Sequence, residues 1–152
     1  MSTLEIILTV VLFIGTFLFM EGVAWFTHKY IMHGFLWIWH ESHHKVQHSL
    51  LERNDLFAIV FSVPSIILLY LGYGHNPYLT AMGLGIFAYG VFYLVFHDII
   101  VHQRLKWRPK KRSKYLNRMI RAHYIHHKVH TKEGAEAFGF LYAPRKFENR
   151  EV

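Results

Sequence analysis

The chain has 152 residues, 53% of them hydrophobic, with 17 lysines and arginines set against 10 aspartates and glutamates. That length suits a single domain over 1–152, and the separation of apolar runs from basic runs is a membrane pattern rather than a soluble one. Cysteine is absent, which excludes disulfides, cysteine-bound iron–sulfur clusters, heme thiolate and cysteine zinc sites, so a bound metal must rest on His, Asp or Glu.

In chain order, the first element is an apolar run over 4–26, interrupted only by Glu5 and Glu21. Neither a basic cluster nor a small-residue cleavage site marks its start, so it is expected to stay as an anchor. Two further runs, 56–73 and 78–96, carry no charge. A spanning helix needs roughly 20 residues, so each run crosses once. Gly74-His75-Asn76-Pro77 is a tight turn that makes a hairpin of the last two. The fold class is therefore all-α, an integral membrane protein with three transmembrane helices. Every lysine and arginine lies either in the loop after the first run or from Arg104 onward. By the positive-inside rule that side is cytoplasmic and the N-terminus is outside, as in a multi-pass protein of the cell inner membrane.

Ten of the thirteen histidines fall into four clusters, and the two halves of the chain repeat the same pair. His28 and His33 are followed by His40, His43 and His44; His97 and His102 are followed by His123, His126 and His127. Imidazole binds first-row metals, and ten imidazoles are too many for one ion. They predict two ions, with five ligands from each half. Residues three and four apart share a helix face, so His40, His43 and His44 project together. In the second half Tyr115, Leu116, Met119, His123, His126 and His127 form one stripe, with Arg121 and Lys128 opposite. The five-residue spacing differs, because such positions point about 140° apart on an α-helix. Either the helix ends between His28 and His33, and between His97 and His102, or each reaches a different ion.

Neutral imidazoles leave the charge of two ions uncompensated, so carboxylates are expected near them. Asp98, Glu41, Asp55, Glu133 and Glu21 are placed by sequence to serve, and His48 and His130 continue the histidine stripes in a supporting role. His75, in the opposite turn, is not expected to bind. Trp37, Trp39, Phe138, Phe140 and Tyr142 lie near the clusters as lining for an apolar substrate or as interfacial anchors.

Several stretches extend beyond the histidines: Asn54-Asp55-Leu56, Phe96-His97-Asp98 through His102-Gln103-Arg104, Ala122-His123, Lys132-Glu133-Gly134, and Phe138-Gly139-Phe140-Leu141-Tyr142-Ala143-Pro144. With the four clusters they resemble the fatty-acid hydroxylase superfamily of membrane di-iron hydroxylases and desaturases and, within it, the bacterial β-carotene hydroxylases. The resemblance runs from about residue 20 to 145. It implies a non-heme di-iron monooxygenase that hydroxylates C3 of β-ionone rings, taking β-carotene through β-cryptoxanthin to zeaxanthin. It also implies two iron ions on the ten histidines, O2 as cosubstrate, a carotenoid drawn from the bilayer, and electrons from ferredoxin and its reductase. Zinc could replace iron in a purified sample.

The rivals within the superfamily are a carotenoid ketolase and a fatty-acid or sterol hydroxylase or desaturase. Outside it stand a metal transporter, which would need polar groups near mid-bilayer, a bis-histidine heme protein, and a zinc hydrolase, which would need no O2. The basic run from Lys106 to Lys114 either docks an acidic ferredoxin or contacts anionic membrane lipid. Nucleic acid is not an expected partner.

Overall fold

A computed structural model describes residues 1–45, 51–107 and 109–149. Helix α1 (Thr3–Phe26) starts at a reciprocal cap in which Ser2 and Glu5 each bind the other's backbone N–H. It continues into a π-helical segment, Thr27–Phe35, which kinks at Gly34. A short α2 (Trp37–His40) tightens into a 3₁₀ turn, Glu41–His44. A second 3₁₀ turn, Arg53–Asp55, leads into α3 (Leu56–Gly72). Helix α4 (Pro77–Tyr93) also continues as a π-helix, Leu94–Val101, and α5 (Lys114–His127) follows. Among the described residues there is no strand. Three stretches are long and apolar enough to cross a membrane: Thr3–Phe35, Arg53–Gly72 and Pro77–Val101.

The α3–α4 hairpin closes at the predicted turn. Gly74 takes φ 73, and Asn76 caps α4 by accepting from the N–H groups of Tyr78 and Leu79. Helix α4 sits between α1 and α3, packing on both. Small residues permit this on either side of it. A Cβ at Gly83 would lie 2.9 Å from Leu69 of α3, and one at Gly85 would lie 2.8 Å from the Phe13 carbonyl of α1. Ser65 of α3 donates to the Gly83 carbonyl at 2.8 Å. The outer faces keep Val11, Leu18, Ile59, Val63 and Phe87 exposed, as a lipid-facing surface requires.

Helix α5 does not span. Ser113 caps it, and Met119, Ile120, Ala122, His123, Ile125 and His126 are buried against the ends of the spans. Tyr115 departs from the predicted stripe. It is exposed, its hydroxyl donates to the Leu141 carbonyl, and Arg118 lies over its ring. Arg121, expected on the opposite face, is half-buried and donates to the Glu148 carbonyl, because the C-terminal segment folds back over that side of α5.

Candidate metal centre

The ten clustered histidines meet at the end of the bundle opposite the Gly74 turn, in two groups of five. One is His28, His33, His40, His44 and His126; the other is His43, His97, His102, His123 and His127. In each group one ring nitrogen per residue lies within 4.8 Å of all the others. Each half of the chain thus gives four residues to one group and one, His43 or His126, to the other. The crossover follows from helix geometry. Neighbouring residues point about 100° apart, so His43 and His44 cannot face one centre together, nor can His126 and His127. Residues four apart can, and His40 stays with His44 as His123 stays with His127.

The five-residue pairs hold a correction. His28 joins His33 with no helix end between them, and His97 joins His102, the cap residue just past the helix end at Val101; neither pair is split between separate centres. Both pairs sit on π-helical turns, where the bond runs from i to i+5. The His102 N–H donates to the His97 carbonyl at 2.9 Å. That wider turn brings residues five apart onto one face, an option that α-helical geometry lacks.

The second ring nitrogen shows how the imidazoles are held. In the first group every Nδ1 donates: His28 to the Phe138 carbonyl (3.0 Å), His33 to Lys132 (2.9 Å), His44 to Val129 (2.7 Å), His126 to Glu136 (2.8 Å), and His40 to the Asn54 side-chain oxygen (2.7 Å). In the second, His43 donates to Glu52 (2.9 Å) and His97 to Asp98 (2.7 Å). These partners accept only, so the proton is on Nδ1 and Nε2 turns a bare lone pair inward. Yet the Nε2 atoms of His28 and His40 lie 3.1 Å apart, as do those of His40 and His44, while His33 and His126 are at 3.2 Å and His43 and His97 at 2.9 Å. Bare lone pairs at such distances repel unless a cation lies between them. Imidazole nitrogens about 2.1 Å from a shared ion, at near-right angles to one another, lie about 3.0 Å apart, which these spacings match. The buried Nε2 of His127 has no hydrogen-bond partner among the described residues, as suits a donor reserved for a metal. The donor set fits two metal ions.

Burial keeps these imidazoles neutral, the form that ligates. It lowers His40 to about 3, with Asn54 opposing and His44 adding to the shift. It lowers His44 and His102 to about 4, and carries His43, His123 and His126 well below the usual histidine range.

The other predicted residues are placed unevenly. Asp98 receives His97, and Asp55 receives Arg104 at 2.8 Å and the Glu52 N–H at 2.9 Å. Glu41 instead pairs with Lys45 at the surface, since one residue past His40 it points outward. The exposed Glu133 touches no clustered histidine with its carboxylate; its carbonyl takes the Thr131 hydroxyl. Glu21 does not reach His28. It accepts the Phe140 N–H (2.8 Å) and the Tyr89 hydroxyl (2.7 Å), and so anchors the segment whose Phe138 carbonyl holds His28. His130 is exposed beyond the end of α5, His48 lies outside the described residues, and His75 is exposed in the far turn.

An apolar cavity of about 540 Å³ adjoins the site, bounded by Met20 and Ala24 of α1, Phe57, Phe61 and Ser65 of α3, and Tyr89, Gly90 and Tyr93 of α4. Ile66, Phe87 and Leu94 also line it and are exposed on the outer surface of the spans, so it opens toward lipid. Its inner end reaches Phe140, whose ring centre is 5.6 Å from His28 and 5.5 Å from His97. There the Tyr93 hydroxyl lies 3.4 Å from the His97 Nε2. Of the five predicted lining aromatics only Phe140 faces this space. Trp37 and Phe138 pack on histidine rings instead, and Trp39 packs on Phe57. Tyr142 is 68% exposed, two residues beyond Phe140.

Residues 13–144 match the family model described as fatty acid hydroxylase. The chain belongs to the fatty acid hydroxylase family. It is 50% identical to a beta-carotene hydroxylase of Pantoea ananas over 82% of this chain and 71% of that one. It is 47% identical to a beta-carotene hydroxylase of Pseudescherichia vulneris, over 82% and 70%, and 42% identical to one from a Paracoccus species, over 86% and 82%. No solved structure matches this chain.

Sequence reasoning missed Asn54 and Glu52 as partners of His40 and His43, Arg104 as their organiser, and the four carbonyls between Val129 and Phe138. Asn54 and Arg104 do stand in the stretches that carry the resemblance; a backbone carbonyl leaves no mark in sequence.

Proposed function

We propose that the chain is a membrane monooxygenase that hydroxylates C3 of a β-ionone ring, converting β-carotene through β-cryptoxanthin to zeaxanthin, with O2 and two electrons. One observation carries the reading: a lipid-open apolar cavity ends at Phe140 and Tyr93, whose rings pack on His28 and His97 of the two five-imidazole groups, in a chain 42–50% identical to proteins named beta-carotene hydroxylase. A carotenoid lives in the bilayer and its ring C–H is unactivated, so no side chain can remove that hydrogen. The chemistry supplied by iron bound to the ten histidines is activation of O2 toward such a bond. In balance, R–H, O2, two electrons and two protons give R–OH and water.

The chain's own part is positional. The Nδ1 acceptors hold seven of the rings in their ligating tautomer. Phe140 and Tyr93 form the end wall against which a ring would rest, and Met20, Ala24 and Phe61 keep the approach dry. The histidine face is read as cytoplasmic from the lysine and arginine distribution. Lys106, Lys110, Lys111 and Arg112 there are exposed and suit either an acidic ferredoxin-type donor or anionic headgroups. Reporter fusions at residue 75 and at the C-terminus test the orientation; a cytoplasmic signal from the turn would refute it.

Expression in cells that accumulate β-carotene, followed by pigment extraction, tests the activity. β-Cryptoxanthin and zeaxanthin are expected, and both should vanish without O2 or under iron chelation. Formation of 4-keto products, or unchanged carotene with altered fatty acids, would overturn the assignment in favour of the ketolase or lipid-modifying branch.

A further inference from the structure

The two histidine groups are built from the same motifs but backed differently. All five Nδ1–H groups of the first end on neutral acceptors, four backbone carbonyls and the Asn54 amide oxygen. In the second, two end on carboxylates, His43 on Glu52 and His97 on Asp98. Those carboxylates are largely withdrawn from solvent, with side chains only 12% and 14% exposed. One guanidinium gathers them. Arg104 lies 2.8 Å from Asp55, 3.3 Å from Glu52 and 3.9 Å from Asp98. Three carboxylates share that one cation, so negative charge is in excess beside the second group alone. A carboxylate accepting an imidazole N–H makes the opposite nitrogen a stronger donor than a carbonyl does, and the excess charge also attracts a cation directly.

We propose that Glu52 and Asp98, held in place by Arg104, make the group of His43, His97, His102, His123 and His127 the tighter-binding and more electron-rich of two unequal metal sites. The inference rests on the two-metal reading above. Glu52, Asp98 and Arg104 act through the histidines and are positioning residues. Repetition of the motifs would by itself make the two sites equal; the asymmetry comes from what lies behind the rings.

The test uses the full chain in lipid nanodiscs loaded with ⁵⁷Fe. Mössbauer spectra of the unaltered protein should show two distinct iron environments. Glu52→Gln and Asp98→Asn each keep an oxygen acceptor and remove the charge. Each should let one of the two ions be withdrawn at a chelator concentration about 10–100-fold lower and should shift one spectral component. Asn54→Ala, behind His40, should instead loosen the other ion and shift the other component. A single environment in the unaltered protein would overturn the proposal without recourse to any variant. So would equal loosening of both ions, or no loosening, in variants whose melting shows them folded. Binding of fewer than two ions by the unaltered chain would refute the two-metal reading itself, a result distinct from two equivalent ions.

Discussion

The bundle has a cavity of about 540 Å³ at each end, and the two ends could hardly be used more differently. The cavity at the turn end is lined by Thr9, Val10, Phe13, Pro77 and Leu84, with His75 at its rim. None of the ten clustered histidines and no carboxylate lines it. The cavity at the opposite end leads to ten imidazoles whose free lone pairs converge. Apolar space beside a histidine is common in a membrane bundle and carries no chemistry. The working end differs because seven of its ten rings are hydrogen-bonded from behind, and because the inward nitrogens converge closely enough to hold a cation.

The largest expected contrast comes from removing donors. Replacing any one of the ten clustered histidines with alanine should reduce pigment hydroxylation to background and lower the metal content, while His75→Ala should leave both unchanged. Full activity in His43→Ala or His126→Ala would break the five-and-five division, since each of these crosses between the halves.

Filling the cavities should give the next largest effect. Ala24→Phe narrows the cavity at the histidine end and should cut turnover roughly tenfold or more while metal content stays constant, since each factor of ten is about 1.4 kcal/mol. Thr9→Leu, at the turn end, should leave turnover unchanged. Equal losses would show that both spaces hold substrate.

Acid should unfold the working end first. With metal removed, the buried imidazoles resist protonation down to about 4 for His44 and His102, against 6.5 for a free histidine. The unfolded chain therefore binds more protons than the folded one between those values, and stability rises with pH across that window. The apoprotein should keep full stability above about 6.5 and lose it as pH falls toward about 4, when measured by thermal melting in detergent. Bound metal should move the loss to lower pH by competing with protons. Melting that stays flat between pH 7 and pH 4 would contradict the buried, neutral imidazoles.

The smallest effect belongs to the irregular segment over the site. Ala137 sits at φ 60 between Glu136 and Phe138, whose carbonyls hold His126 and His28. Ala137→Gly should relieve about 1 kcal/mol of left-handed strain, whereas Ala137→Val should destabilise the segment and weaken metal retention. A loss of stability in the glycine variant would show that the strained backbone is not what aims those carbonyls.

The working end was only partly legible before the chain was folded. His40, His43 and His44 announce a helical patch, and the i+4 rule correctly pairs His40 with His44. It is silent on which metal group His43 joins. The His28–His33 spacing was misread because α-helical geometry was the only frame applied, and the π turn that unites the pair follows from a hydrogen-bond shift that residue types do not disclose. Glu41 was chosen for standing next to a histidine, yet adjacency on a helix means pointing about 100° away. Glu52, nine residues beyond His43, accepts its Nδ1–H from the capping position of the Arg53–Asp55 turn.

Sequence by itself determined the three spans, the hairpin, the supply of ten non-cysteine donors and the family, because apolar length, turn residues and motif spacing are local properties that survive without a fold. Tertiary structure alone decided the division into two groups of five, the backbone carbonyls laid behind one of them, the carboxylates gathered behind the other by Arg104, and the cavity that ends at Phe140. These depend on contacts between elements as distant as His28 and Phe138, 110 residues apart in the chain. Packing brings such elements together, and no repeat along the sequence encodes which of them will meet.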